Sequence, residues 1–118
     1  MTSEKIKAFL DFVSECKDNY QSATEGIKLE EKRQQDLLHE IEFAMNPEDW
    51  ARIGKRMHDC RVQRREYKDT FEEIEPVVSF FAEANHKKTY DQMVQLLGKV
   101  RKAEGYHQNR TYIPRVKD

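Results

Sequence analysis

Apolar residues recur at alternating steps of three and four along the first 44 residues of the chain. The series comprises Ile6, Phe9, Val13, Cys16, Tyr20, Ala23, Ile27, Leu37, Ile41 and Ala44, with Glu30 and Gln34 in the same phase. A heptad pattern of this length predicts a long helix with one apolar seam. Thr2 or Ser3 is the expected N-cap. Gly26 is a weak point in this helix, because glycine costs about 1 kcal/mol relative to alanine.

A second heptad series follows the segment "MNPED". Asn46 is a good N-cap and Pro47 suits the first helical position, so a second helix is expected to start here. Its seam positions are Trp50, Ile53, Met57, Cys60, Arg64, Tyr67, Phe71, Ile74, Val78 and Phe81. Pro76 falls inside the series without changing its phase, which favours one helix kinked at the proline over two separate helices.

The segment "TYDQ" predicts a third, shorter helix. Thr89 and Gln92 have the spacing of a capping box, and Gly105 is a suitable C-cap. The pattern as a whole predicts an all-α fold, built from a long antiparallel helical hairpin resembling a coiled coil and the third helix at its open end. We expect a helical bundle domain over residues 1–105 and an extended, basic C-terminal tail over residues 106–118.

The short turn at residues 46–47 fixes an expected register between the two long helices. Facing residues should have numbers that sum to about 94, which places Glu30 opposite Arg64 as a charged pair inside the seam. The same register separates Cys16 from Cys60 by roughly 27 Å along the helix axis, too far for a disulfide. Both cysteines are expected to be small buried residues.

Composition and charge limit the classes of partner. Of the 118 residues 37% are hydrophobic and 36% are charged, and the net charge is −1. This balance suits long, solvated helices, and the chain as a whole has no electrostatic attraction to nucleic acid or to a membrane. No apolar run could cross a bilayer and the N-terminus lacks a signal-peptide pattern, so an intracellular protein without a membrane partner is expected.

Basic residues are concentrated in the second helix. Arg52, Lys55, Arg56, Arg61 and Arg65 form a candidate nucleic-acid-binding face. The alternative is that these side chains pair with the acidic residues of the first helix. Both interpretations remain open from the sequence.

No pattern typical of catalysis is present. The four histidines do not converge with other ligands as a metal site would require, and neither a nucleophile motif nor a phosphate-binding loop occurs. We expect no enzyme activity, no metal and no cofactor. Leu38, Phe43 and Met45 lie outside the seam near the turn, where no element is assigned to cover them. They are candidate partner-binding residues, together with Tyr112, Ile113 and Arg115 of the tail. A second copy of the chain is another candidate occupant, and the alternative to both is that the C-terminal tail runs along the groove and covers these residues.

The segments "DLLHEIE", "RREYKD", "EPVVSFF", "LGKVRK" and "HQNRTYIPRV" resemble those of small helical proteins encoded by phages and prophages of Gram-positive bacteria. The resemblance implies a phage-type protein acting in the cytoplasm of a bacterial host cell. It also implies, by class, a non-catalytic protein that binds a host or phage protein, such as an inhibitor of a bacterial defence system. The alternative function is that of a nucleic-acid-binding accessory protein.

Overall fold

The computed structural model describes residues 1–110 and residue 116, and the described part of the chain is built from three α-helices. Helix α1 spans Thr2–Glu42, α2 spans Pro47–Ala82 and α3 spans Ala84–Asn109. The predicted all-α hairpin with a third helix is confirmed. The chain measures 98 × 34 × 15 Å, so the helices form a single thin layer.

The predicted seam joins α1 and α2. On α1 the seam residues Val13, Cys16 and Leu37 are buried, and on α2 Ile53 and Cys60 are buried. Both cysteines are free thiols, as expected. Helix α2 continues without interruption through Pro76, which confirms one helix in place of two.

The register between α1 and α2 differs from the prediction by about one helical turn. Cys60 lies on Glu30, Tyr20 stacks on Phe71 and Phe9 meets Phe81, and the numbers in each of these three pairs sum to 90 or 91. Side chains that reach along the seam, such as Tyr67 on Gly26 and Arg64 on Glu31, give sums of 93 and 95. The cause is the turn. Because α1 ends at Glu42, the turn comprises residues 43–46 and its midpoint lies nearer the N-terminus than the expected 46–47.

The predicted Glu30–Arg64 pair is wrong for the same reason. The Glu30 side chain is 3% exposed and accepts hydrogen bonds from Arg33 Nη1 at 2.8 Å and from Cys60 Sγ at 3.0 Å. Arg64 instead donates to Glu31 Oε1 at 3.1 Å, on the exposed edge of the seam. The shifted register therefore places a neutral thiol, in place of a guanidinium, opposite the buried carboxylate.

Helix α3 begins earlier and ends later than expected. Glu83 is the single extended residue between α2 and α3. Thr89 does not cap the helix; its hydroxyl donates to Asn85 O at 3.0 Å within the second turn. Gly105 lies inside the helix, which continues to Asn109, so the predicted domain boundary at 105/106 falls within α3.

Two contacts fix the direction of α3. The Tyr90 hydroxyl donates to Leu10 O at 3.4 Å, and Ser3 donates through its N–H and its hydroxyl to the Glu104 carboxylate at 2.9 and 2.6 Å. Residue numbers rise along α3 as they fall along α1, so α3 runs antiparallel to α1 and away from the turn. The hydrogen bonds from Ser3 hold the pKa of Glu104 below its ordinary value. Ser3 is thus buried as an interhelical contact of α1, whose N-cap is Met1.

Gly26 has a packing role that its sequence context does not indicate. A Cβ at this position would lie 2.7 Å from ring atoms of Tyr67, whereas a Cβ at Gly54 would meet nothing within 4 Å. Glycine at position 26 therefore allows the Tyr67 ring to lie directly on the α1 backbone.

The two glycines consequently predict opposite effects of alanine. Gly54→Ala should raise the free energy of unfolding by about 1 kcal/mol, because alanine favours the helix. Gly26→Ala should lower it by about 1–3 kcal/mol, because the Tyr67 ring must move out of its packed position. Urea unfolding followed by circular dichroism measures both values. A stabilising Gly26→Ala variant would contradict the close contact with Tyr67.

Candidate protein-binding site at the hairpin tip

The turn between α1 and α2 presents large apolar side chains to solvent. Phe43 is 79% exposed and Met45 is 93% exposed, and Leu38, on the last turns of α1, is about half exposed. The sequence predicted that these three residues would lack cover near the turn. Because α3 runs away from the turn, no described helix reaches them. We call Leu38, Phe43, Met45 and Trp50 the hairpin tip.

The backbone of the tip is held by local hydrogen bonds. Asn46 Oδ1 accepts from the Asp49 N–H at 2.8 Å and caps α2 as predicted. The Trp50 indole N–H donates to Ala44 O at 3.1 Å, and the Phe43 N–H donates to Glu40 O at 3.2 Å. Phe43 and Met45 therefore project from a turn of fixed conformation, which lowers the entropy lost when a partner covers them.

Sequence reasoning missed Trp50 as a site residue. The heptad phase assigned it to the seam, but its side chain is about half exposed. The indole N–H donates to Ala44 O, so the ring lies against turn backbone instead of between α1 and α2. The indole covers that backbone with one edge and leaves the rest of the ring in solvent.

Carboxylates surround the tip. Residues 34–51 contain Asp36, Glu40, Glu42, Glu48 and Asp49 and neither a lysine nor an arginine. Arg52, the first basic residue beyond this segment, lies 3.4 Å from Glu40 and 3.6 Å from Asp49 and compensates part of the charge. The tip is thus an apolar surface with an acidic rim.

The structure does not bring the five candidate nucleic-acid-binding residues onto one face. Arg52 pairs with Glu40. Arg56 lines a groove beside Leu37 and Cys60, whereas Arg61 and Arg65 line another groove beside Gln34, Arg64 and Lys68. Two packed helices have one groove on each side, so these arginines point to opposite sides of the hairpin, and Lys55 lines neither groove. A continuous basic face, which the nucleic-acid alternative requires, is therefore absent among these residues.

The groove beside Arg56 has a volume of about 500 Å³ and contains Glu30 and Cys60. Burial, and then the hydrogen bond to the Glu30 carboxylate, raise the pKa of the Cys60 thiol from 9.0 to about 11. The thiolate is the nucleophilic form of cysteine, so this side chain remains a protonated hydrogen-bond donor at neutral pH. Its position is explained by packing and by the hydrogen bond to Glu30.

The histidine, cysteine and acidic side chains of residues 1–110 form no group of three or more that could hold a metal ion. None of the helices in this range combines the length and apolar character that a bilayer crossing requires. The predicted tail contacts of Tyr112, Ile113 and Arg115 lie outside the described residues.

Comparison of the chain with protein-family models, with curated proteins and with solved structures gives no match.

Proposed function

We propose that this protein acts by binding another protein through the hairpin tip. The observation that carries the proposal is the exposure of Phe43 and Met45 on a turn whose backbone is fixed by hydrogen bonds. Burying a phenylalanine or methionine side chain contributes about 1.5–3 kcal/mol each. Large apolar residues at the centre of a surface, surrounded by polar groups, are typical of the few residues that dominate a protein interface.

The acidic rim indicates the chemistry of the partner. Five carboxylates between residues 34 and 51 would oppose an acidic surface and attract a basic one. The surface that fits is an apolar pocket flanked by lysine or arginine. Such a rim also disfavours binding of the tip to the phosphate backbone of nucleic acids.

In the setting that the phage-type resemblance implies, the partner is a protein of the bacterial host, such as a component of a defence system. The small protein would then act without catalysis, by occupying a surface that the partner needs. The support for a binding role is the geometry of the tip, and the support for this setting is the resemblance of the segments quoted above.

The proposal is tested by capture from a bacterial host extract followed by measurement with the purified partner. The variant Phe43→Ser with Met45→Ser should weaken binding at least tenfold, because it removes the apolar contact. Its helicity should be unchanged, since both side chains lie almost entirely in solvent. Val62→Ser, at a half-exposed position on the outer side of α2, is the matched control and should bind like the natural sequence. Equal affinity for the tip variant and the control would contradict the proposal.

A further inference from the structure

The chain exposes much more surface than a compact globular protein of the same mass. Its accessible surface is 9767 Å² for a mass of 14.1 kDa. A monomeric globular protein of this mass exposes about 6,700 Å². Residues 111–118 account for at most about 1,400 Å², the value for a fully extended segment. Roughly 1,600 Å² of excess surface therefore belongs to the described helices.

The excess follows from the architecture. The helices form one layer about 15 Å thick, so neither flat side of the hairpin is covered by another element. Within residues 1–110 and residue 116, only eight hydrophobic side chains are buried. Stable domains are normally built from two packed layers around a common core, and this chain supplies one.

Aromatic residues concentrate the uncovered apolar surface at the junction of α2 and α3. Phe81 contacts Phe9, Phe80 and Tyr90, with ring centroids 5.0–6.2 Å apart. Phe9 and Phe80 nevertheless remain almost half exposed. Phe12, one helical turn from Phe9, is also about half exposed. We call Phe9, Phe12 and Phe80 the junction face.

The junction face is rigid. Glu83 is the only residue between α2 and α3. The His86 ring stacks on Phe80 with centroids 3.8 Å apart and planes 7° from parallel. His86 Nδ1 also lies 2.8 Å from Phe80 O and 3.1 Å from Glu83 Oε2. Phe80 is therefore held in place before any partner arrives, and Phe9 is held by its edge contact with Phe81.

We propose that a second copy of this chain packs on the junction face. Obligate homodimers bury about 2,000–5,000 Å² in total, which is about 1,000–2,500 Å² for each chain, and the excess found here lies in that range. A two-fold axis would place the junction face of one copy against that of the other and convert a single layer of helices into two. A net charge of −1 gives little mutual repulsion between copies.

The proposed pairing leaves the hairpin tips free. The tip and the junction face lie at opposite ends of α2, so the dimer would carry two tips and could engage two partner molecules or two sites on one assembly. The dimer does not depend on the tip having a partner. The two proposals can therefore fail separately.

Sedimentation equilibrium of the full chain at micromolar concentration tests the dimer. The expected mass is twice the chain mass of 14.1 kDa. Phe12→Glu and Phe80→Glu, made separately on α1 and α2, should each return the mass to 14.1 kDa with helicity retained, because both side chains are half exposed. Phe43→Glu, the same exchange at the tip, should remain dimeric.

Three results would overturn the proposal. One is a mass of 14.1 kDa for the natural sequence. Another is a junction variant, Phe12→Glu or Phe80→Glu, that keeps its helicity and still forms the dimer. The third is loss of the dimer in Phe43→Glu alone, which would transfer the interface to the tip.

Discussion

Replacement of Ile53 by alanine is expected to lower the free energy of unfolding by about 3–4 kcal/mol. Ile53 is 1% exposed. With Leu37 and Cys60 it forms the core of the half of the hairpin that is nearer the turn. A truncated side chain leaves a cavity that two rigid helices cannot close. The loss of buried apolar surface and the cavity therefore both lower the free energy of unfolding. Because single domains are stabilised by only about 5–15 kcal/mol, the change is a large part of the total.

Urea unfolding followed by helical circular dichroism measures the effect of Ile53→Ala. Val62→Ala on the same helix is the control, since Val62 is about half exposed and its truncation should change stability by less than about 0.5 kcal/mol. Similar small losses for both variants would mean that α1 and α2 do not pack through Ile53.

Replacement of Glu30 by leucine is expected to raise the free energy of unfolding by about 1–3 kcal/mol. The Glu30 carboxylate is almost completely buried, and its ionic partner Arg33 is mostly exposed. Desolvation of the carboxylate is therefore only partly offset, by an ion pair of low strength and by one weak hydrogen bond from the Cys60 thiol. Leucine leaves no buried group without a partner, because Arg33 reaches water and the single proton of the Cys60 thiol can be donated to Glu30 O of the backbone, 3.1 Å from Sγ.

A double-mutant cycle separates this arrangement from the register expected from the sequence. Glu30→Leu and Arg64→Leu should show a coupling energy below about 0.5 kcal/mol, because Arg64 binds Glu31. A pair buried in the seam would instead couple by more than about 1 kcal/mol, and Glu30→Leu would be strongly destabilising. The second outcome would restore the predicted register and contradict the observed one.

The seam was predictable because apolar spacing encodes it directly. The register was not, because it depends on where α1 ends. Asn46 and Pro47 mark the start of α2, but the segment around Glu42 contains neither glycine nor proline to mark the end of α1. An error of a few residues in the turn was then transmitted along the whole hairpin.

The first and last residues of α3 were predicted incorrectly for a related reason. The segment "NHKK" is polar and precedes the "TYDQ" from which the start of α3 was predicted, yet all of its residues can enter a helix. A single extended residue at Glu83 suffices to separate α2 from α3. The spacing of Thr89 and Gln92 resembled a capping box although both lie inside the helix. Local sequence patterns of this kind do not determine which way a helix packs, so they give no direction for α3.

The tip was only partly predictable. Leu38, Phe43 and Met45 fall outside the heptad phase, and this alone indicated that they would lack cover. Trp50 lies in phase, and its exposure depends on the conformation of the turn, where its indole donates to Ala44 O. The separation of the basic residues onto two sides of the hairpin likewise depends on helix geometry, because closeness in sequence does not place residues on one helical face.

The fluorescence of Trp50 tests the binding role of the tip most directly. Trp50 is the single tryptophan of the chain and lies within the tip, so its emission reports on that surface alone. When a tryptophan-free form of the captured partner is added, the emission of Trp50 should shift to shorter wavelength and its quenching by iodide should fall, because the partner excludes water from the tip. A partner that binds without changing either the emission or the quenching of Trp50 would place the interface elsewhere and contradict the proposed function.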